Sequence, residues 1–402
     1  MDKLLEIKNA QVRIIADSRG NPTVEATIFL ENAHGICSAP SGASTGETEV
    51  KAFPDGGAAK SVELFNKVVR KEILGFNSLK QREFDRRLEE IDGTGNFSKI
   101  GGNLATALSI ALAKASSNAV GIPLYKYTGG LFASRIPKPL GNVLGGGKHS
   151  RNGTTIQEFF VSTQTDDAFK NVFTNIKVHK RVGEKLSEKF PDISIGVGDE
   201  RAWTCNIEDL EAVDLVKEAA REIENETKTK ILVGSDLAST SFFESGKYVY
   251  RNEKKTPDQQ IDFVESLVKE HGFSIIEDPL VDTDFDGFAA ITKRVGDRAL
   301  IIGDDLYTTN PERIKKGIEK KSTNAVLIKV NQIGTLSKTI EAVRLANSAG
   351  WKTVISHRSG ETTDNFIAHL GVAFGSEMMK SGTIGGERLS KLNELIRIQE
   401  DF

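Results

Sequence analysis

The 402-residue sequence predicts an α/β protein: a barrel of alternating strands and helices, preceded by a smaller N-terminal α+β module. Three observations carry this. The chain is too long for one ordinary small domain. Its first third reads as strands and then helices. Beyond about residue 137, strand and helix patterns alternate, roughly 25–30 residues per unit, the mark of parallel strands with crossover helices.

In the first module, residues 4–15 and 23–30 are rich in Ile, Val, Thr and Phe. Between them, Asp17 to Pro22 (DSRGNP) carries turn punctuation. Apolar spacings of three and four predict helices over 61–74, 78–91 and 103–119. The last is apolar almost all round, so it should be buried. The expected division is 1–130 for this module and 137–402 for the barrel, separated by a short polar segment around Ser134 to Lys138. Within the barrel, Thr256-Pro257 and Asn310-Pro311 are N-caps followed by proline at the first helical position. Thr335 opens a further helix that Gly350 closes.

Composition narrows the function. With 53 basic against 56 acidic residues the net charge is −3, so nucleic acid is not expected as a partner. Cys37 and Cys205 form no zinc or disulfide framework, which suits a reducing cytoplasm. The N-terminus has no continuous apolar signal stretch. The most apolar helix candidate, residues 104–115, is too short to span a bilayer and contains Lys114, so no membrane span is expected.

Five successive strand candidates end in ionisable residues: ILVGSD at Asp236, FSIIED at Glu277-Asp278, ALIIGD at Asp304, NAVLIK at Lys329 and KTVISH at His357. The C-terminal strand ends of a barrel share one mouth, where its chemistry sits. Polar residues are also ordinary where strands meet loops; five in a row, of complementary types, favour a site. Three carboxylates crowded together raise one another's proton affinity unless a cation joins them, and oxygen ligands suit magnesium. Salt bridges to Lys or Arg are the structural alternative. Lys329, desolvated at a strand end, can serve as a base. Lys380, in EMMKSG, is a possible second cation or an ordinary surface lysine. ISIGVGDE is read as a strand ending at Asp199-Glu200, one barrel unit before Asp236, and so offers an acid. Three small-residue loops could hold an anion: Pro40 to Gly46, Leu144 to Ser150 with His149, and His357 to Thr362 with Arg358 and Ser359. Taken alone, such loops are usually just turns.

Together DSRGNPTVE, APSGASTG, IQEF, VGDE, IEDP, GDDL, TNP, LIKVNQIGT, SHRSGET and ERLSKLN resemble the enolase family over nearly the whole chain. The resemblance implies an atypical eight-stranded barrel whose early strand and helix run against the usual direction. It implies a lyase that dehydrates 2-phosphoglycerate to phosphoenolpyruvate with two Mg²⁺ per active site. Asp236, Glu277 and Asp304 would ligate the first ion, and Ser44 would help hold the second. Lys329 would be the base and Glu200 the acid, with Gln157 and Glu158 beside it. Arg358 and Ser359 would hold phosphate, Lys380 would meet the substrate carboxylate, and His149 and His357 would close the site. It also implies a homodimer or dimer-based oligomer, with Arg13 facing Glu387 and Glu25 facing Arg397 across a twofold axis.

The sequence departs from the family pattern in places. Arg201 follows VGDE where glycine is usual; pointing inward, it would keep Glu200 charged and weaken it as an acid. LGGGKHS differs from the usual second loop, and Lys380 to Glu387 is one residue short. These departures motivate the alternative of an enolase-like paralogue with altered or lost activity. Other competing readings are another acid-sugar dehydratase or racemase, a lysine Schiff-base aldolase on Lys329, and a binding or scaffold role.

Overall fold

The structure is a computed structural model that describes residues 2–42, 46–150 and 153–402. Ser44 therefore lies outside the described residues.

Strands β1 (Asn9–Ala16), β2 (Pro22–Phe29) and β3 (His34–Ser38) form an antiparallel sheet. The expected first strand begins later than residue 4, because Asp2–Leu5 is a 3₁₀ turn. The helix Gly102–Val120 lies on this sheet. Its nearly unbroken run of small and apolar residues buries most of its surface, as the pattern demanded. The approach is close: a Cβ on Gly35 of β3 would stand 2.2 Å from the Ala111 carbonyl oxygen. The helix expected over 61–74 begins at Gly57 and includes a π segment, Phe65–Val69.

Eight strands then close a barrel: β4 (Lys138–Gly145), β5 (Glu158–Thr163), β6 (Ile231–Asp236), β7 (Ile275–Glu277), β8 (Leu300–Gly303), β9 (Ala325–Ile328), β10 (Lys352–Ser356) and β11 (Met378–Lys380). Each pairs with the next, and β11 pairs back onto β4. All neighbours are parallel except β5, which runs antiparallel to β4 and β6. The barrel interior is filled by Leu140, Phe160, Ile275, Ile302, Ala325, Leu327, Val354 and Met378, all buried. These are the inward positions that strand alternation supplies.

The local signals act where expected. Thr256 forms a reciprocal capping box with Gln259 and starts the helix Pro257–Lys269. Asn310 caps Pro311–Lys320, and Thr335 caps Leu336–Ser348.

One strand assignment fails. The segment ending at Glu200 is not a barrel strand: Gly196–Val197 and Trp203–Thr204 form a two-residue antiparallel ribbon, attached to β4 through the Leu144–Trp203 pair. Its glycines carry no side chain to pack, so the apolar pattern stops short of the barrel wall.

The N-terminal module packs onto the barrel mouth. The Asn331 amide donates to the Pro40 carbonyl at 2.9 Å, Thr106 donates to the Gly334 carbonyl at 3.1 Å, and Ser41 forms an isolated bridge with Gly360.

Candidate active site

The parallel run of strands brings the predicted strand-end residues together. Glu277 lies in register beside Asp236. Because β5 is reversed, its N-terminal end reaches the same mouth, placing Glu158 opposite Asp236 and beside Gly145. A cavity of about 110 Å³ opens there. Every expected site residue among the described ones lines it, except Glu277, which is fully buried beneath.

The Lys380 ammonium covers Glu277. It lies 2.9 and 3.0 Å from the two Glu277 oxygens, 3.3 Å from Asp236 Oδ2 and 3.4 Å from Glu158 Oε1. Lys380 is only 3% exposed, so the surface-lysine alternative is wrong. Burial opposes its charge, but Glu158, Glu277 and Asp236 outweigh that and hold it as an ammonium. Lys329 donates to Asp304. Burial works to lower Lys329, and the Asp304 carboxylate beside it prevails, so the amine is held above its ordinary value. Asp304 also accepts from the Gln332 amide at 3.1 Å.

Among the described residues, two sets have ligand atoms within 4.8 Å of one another: His149, Glu158 and Glu200, and Asp278, Asp304 and Asp305. Asp278 is committed to the fold, since its carboxylate accepts from the Asp304 and Asp305 amides at 2.9 and 2.8 Å. The expected trio of Asp236, Glu277 and Asp304 is neither of these sets: Lys380 bridges Asp236 and Glu277, and Asp304 is held by Lys329. All three carboxylates offer oxygen only, which fits a hard divalent cation.

Burial raises both Glu158 and Glu200, but their surroundings differ. For Glu158 burial prevails, and nearby Glu200 adds to it, so its carboxyl lies well above the usual range. At Glu200 the contacts with His357, through its ring N–H, with His149 and with Arg388 prevail over burial, and its carboxyl lies well below the usual range. His357 Nε2 stands 3.3 Å from Glu200 Oε1, and the Asn142 amide donates to Oε2 at 3.3 Å. Burial drives His357 down to about 3, so the ring is neutral near neutral pH. His357 Nε2, His149 Nδ1 and Glu158 Oε2 are buried without a hydrogen-bond partner among the described residues. Such atoms are costly unless something polar completes them.

Arg201 does not point inward. Its side chain is exposed, and its backbone adopts φ +65°, the left-handed conformation that explains the family's glycine there.

Residues without an assigned role in the sequence complete the site. Glu49 forms a two-pronged pair with Arg358, at 3.0 Å to Nη1 and 3.2 Å to Nη2. Asn331 Oδ1 accepts from Arg358 Nη1 at 2.9 Å. Arg388 contacts His357 and the carbonyls of the following loop. Asn331 and Arg388 stand inside LIKVNQIGT and ERLSKLN, but only the fold brings them against Arg358 and His357.

A closed barrel with carboxylates and two lysines at its mouth, packed against an α+β module, defines a barrel enzyme of the TIM type. Residues 7–128 match the family described as "Enolase, N-terminal domain", and 133–402 match "Enolase, C-terminal TIM barrel domain". The chain is 60% identical over 397 residues to an enolase of Picrophilus torridus, covering 99% of each chain. It is 59% identical to an enolase of Thermoplasma acidophilum, covering 98% of each. A relative from Methanothermobacter thermautotrophicus, also named enolase, is 45% identical over 402 residues, covering 98% of this chain and 97% of its own. The chain belongs to the enolase family. It is an enzyme, a lyase that dehydrates 2-phosphoglycerate to phosphoenolpyruvate, and full-length likeness to enolases favours this over an altered paralogue. Family membership implies a metal cofactor, and the acidic clusters offer places for one.

Proposed function

We propose that Lys329 removes the C2 proton of 2-phosphoglycerate and that Glu200, paired with Glu158, protonates the departing hydroxyl. The supporting observation is that amine and carboxyl pair line one cavity from different chain segments, as a stepwise elimination requires. Arg358 and Lys380 favour neutral Lys329, while Asp304 opposes it; with Asp304 engaged elsewhere, the amine is free to accept a proton. The raised Glu158 stores a proton within reach of Glu200. Arg358 and Ser359 hold the phosphate, Lys380 meets the substrate carboxylate, and Gln157, His149 and His357 close over the leaving hydroxyl. The unpartnered nitrogens of His149 and His357 support that closure.

Asp236, Glu277 and Asp304 would hold one Mg²⁺, and Ser44 a second with the substrate phosphate. When bound, these ions supply the positive charge that stabilises the enolate as it forms. The catalytic unit is assigned to residues 137–402 and the N-terminal module to 1–130. The enzyme works as a cytoplasmic homodimer or dimer-based oligomer. Within one chain Arg13 pairs with Glu25 at 3.2 Å and Arg397 with Glu394 at 2.7 Å, which leaves Arg13 half exposed for a twofold partner. No helix of the described chain is long and apolar enough to cross a membrane.

The deciding experiment is a 2-phosphoglycerate turnover assay with Lys329→Ala and with chelator. The lysine change lowers kcat about 10²–10⁴-fold, and chelation abolishes turnover until Mg²⁺ is restored. Turnover that survives either treatment rejects the mechanism. Sedimentation equilibrium tests the oligomer: a mass of one chain rejects it.

A further inference from the structure

Arg388 is fully buried in the first turn of the helix Gly386–Gln399. Its Nη1 lies 2.7 Å from His357 Nδ1 and 2.7 Å from the Arg358 carbonyl oxygen. Its Nη2 lies 2.7 Å from the Ser359 carbonyl oxygen and 3.4 Å from that of Asp199. The neighbouring Glu387 carboxylate is 3.5 Å from Nε, which has no hydrogen-bond partner among the described residues. A guanidinium has five N–H groups and nothing that accepts. His357 Nδ1 must therefore be the acceptor. A neutral imidazole has one bare nitrogen and one N–H, so the proton sits on Nε2, the atom 3.3 Å from Glu200 Oε1.

We propose that Arg388 is a positioning residue for the reaction: by donating to Nδ1 it fixes His357 as the Nε2–H tautomer, so that a hydrogen-bond donor faces Glu200 and the cavity. In the opposite tautomer a lone pair would face the carboxylate, repelling it and competing for its proton. The same guanidinium holds the carbonyls of Arg358 and Ser359, so the imidazole and the phosphate-binding loop share one anchor. This purpose rests on the proposed role of Glu200, but the tautomer itself does not, and the two fail separately.

The test is ¹⁵N NMR of the His357 ring in the full-length, histidine-labelled enzyme, assigned by the signals lost in His357→Asn. Near pH 7 the expected spectrum has a protonated Nε2 and a bare Nδ1. A protonated Nδ1, whether in the other tautomer or in a charged ring, overturns the proposal. Arg388→Met is expected to give mixed tautomers and a kcat at least about tenfold lower. Arg388→Lys, whose ammonium also only donates, is expected to keep Nε2–H and recover kcat to within about fivefold. A folded Arg388→Met enzyme with the wild-type tautomer also overturns it. Should that variant not fold, the wild-type spectrum alone decides. The acid role is read separately, from the kcat of Glu200→Gln.

Discussion

The Lys114 ammonium, on the apolar helix of the N-terminal module, donates at 2.6 Å to the Asp364 carboxylate of the barrel. Both groups are largely buried. Burial alone would raise Asp364, but Lys114 and the Ser38 amide, at 3.1 Å, hold it below the usual range. The charge that interrupts an otherwise apolar helix is thus a tie between the two parts of the molecule. Lys114→Met leaves the carboxylate buried without its cation, a change that costs about 3–5 kcal/mol. Chemical unfolding is expected to show that loss, with kcat per folded enzyme unchanged. An undiminished midpoint rejects the account.

Arg201 sits in a left-handed conformation with its side chain exposed. Arg201→Gly relieves a strain of about 1 kcal/mol, partly offset by the greater freedom of the unfolded chain. Thermal melts are expected to show equal or slightly higher stability, with kcat unaltered. A marked rise in turnover would mean that the arginine reaches Glu200 after all.

Gly183 presses on the ribbon that bears Glu200. A Cβ there would lie 2.6 Å from two atoms of the Trp203 ring. Trp203 is itself pinned by its donation to the His179 carbonyl at 2.8 Å. Gly183→Ala is expected to displace the ribbon, cost about 1–3 kcal/mol and lower kcat more than it raises KM. Steady-state kinetics on the folded variant checks this, and an unchanged kcat contradicts it.

Glu394 is held down to about 2, chiefly by its hydrogen bond with His369 and with help from Arg397. A depressed carboxylate stabilises the fold above its ordinary value near 4.5, and the benefit disappears as pH falls toward 2. Glu394→Gln is expected to melt a few degrees below wild type at pH 7, with the gap closing between about pH 4.5 and 2. A gap that does not depend on pH points to packing instead of charge.

Much of the site was legible because strand ends are local signals. Asp236, Asp304, Lys329 and His357 each finish an apolar run, and parallel pairing carries them to one mouth. Glu158 was not legible from spacing, because it begins a strand. It reaches the mouth only because β5 is reversed, which period-two alternation does not reveal. Glu200 was placed by motif, but its supposed strand is a short ribbon. Lys380 follows a short apolar segment that allowed either a second cation or a surface lysine, a run too short to decide its burial. Glu49 and Arg388 act through partners some 300 and 30 residues away, distances over which no periodicity operates.

The amino-acid sequence by itself determined the division into module and barrel, the capped helices, the inward apolar layer and the chemical types gathered at the mouth. Each follows from the periodicity of helix and strand or from a residue's own donors, acceptors and charge. The family resemblance implied the reversed β5, but only the tertiary structure decided the seating of Lys380 over Glu277, the neutrality of His357 and the exposure of Arg201. Those depend on desolvation and on contacts between segments remote in the chain, and such energies exist only once the chain has closed on itself.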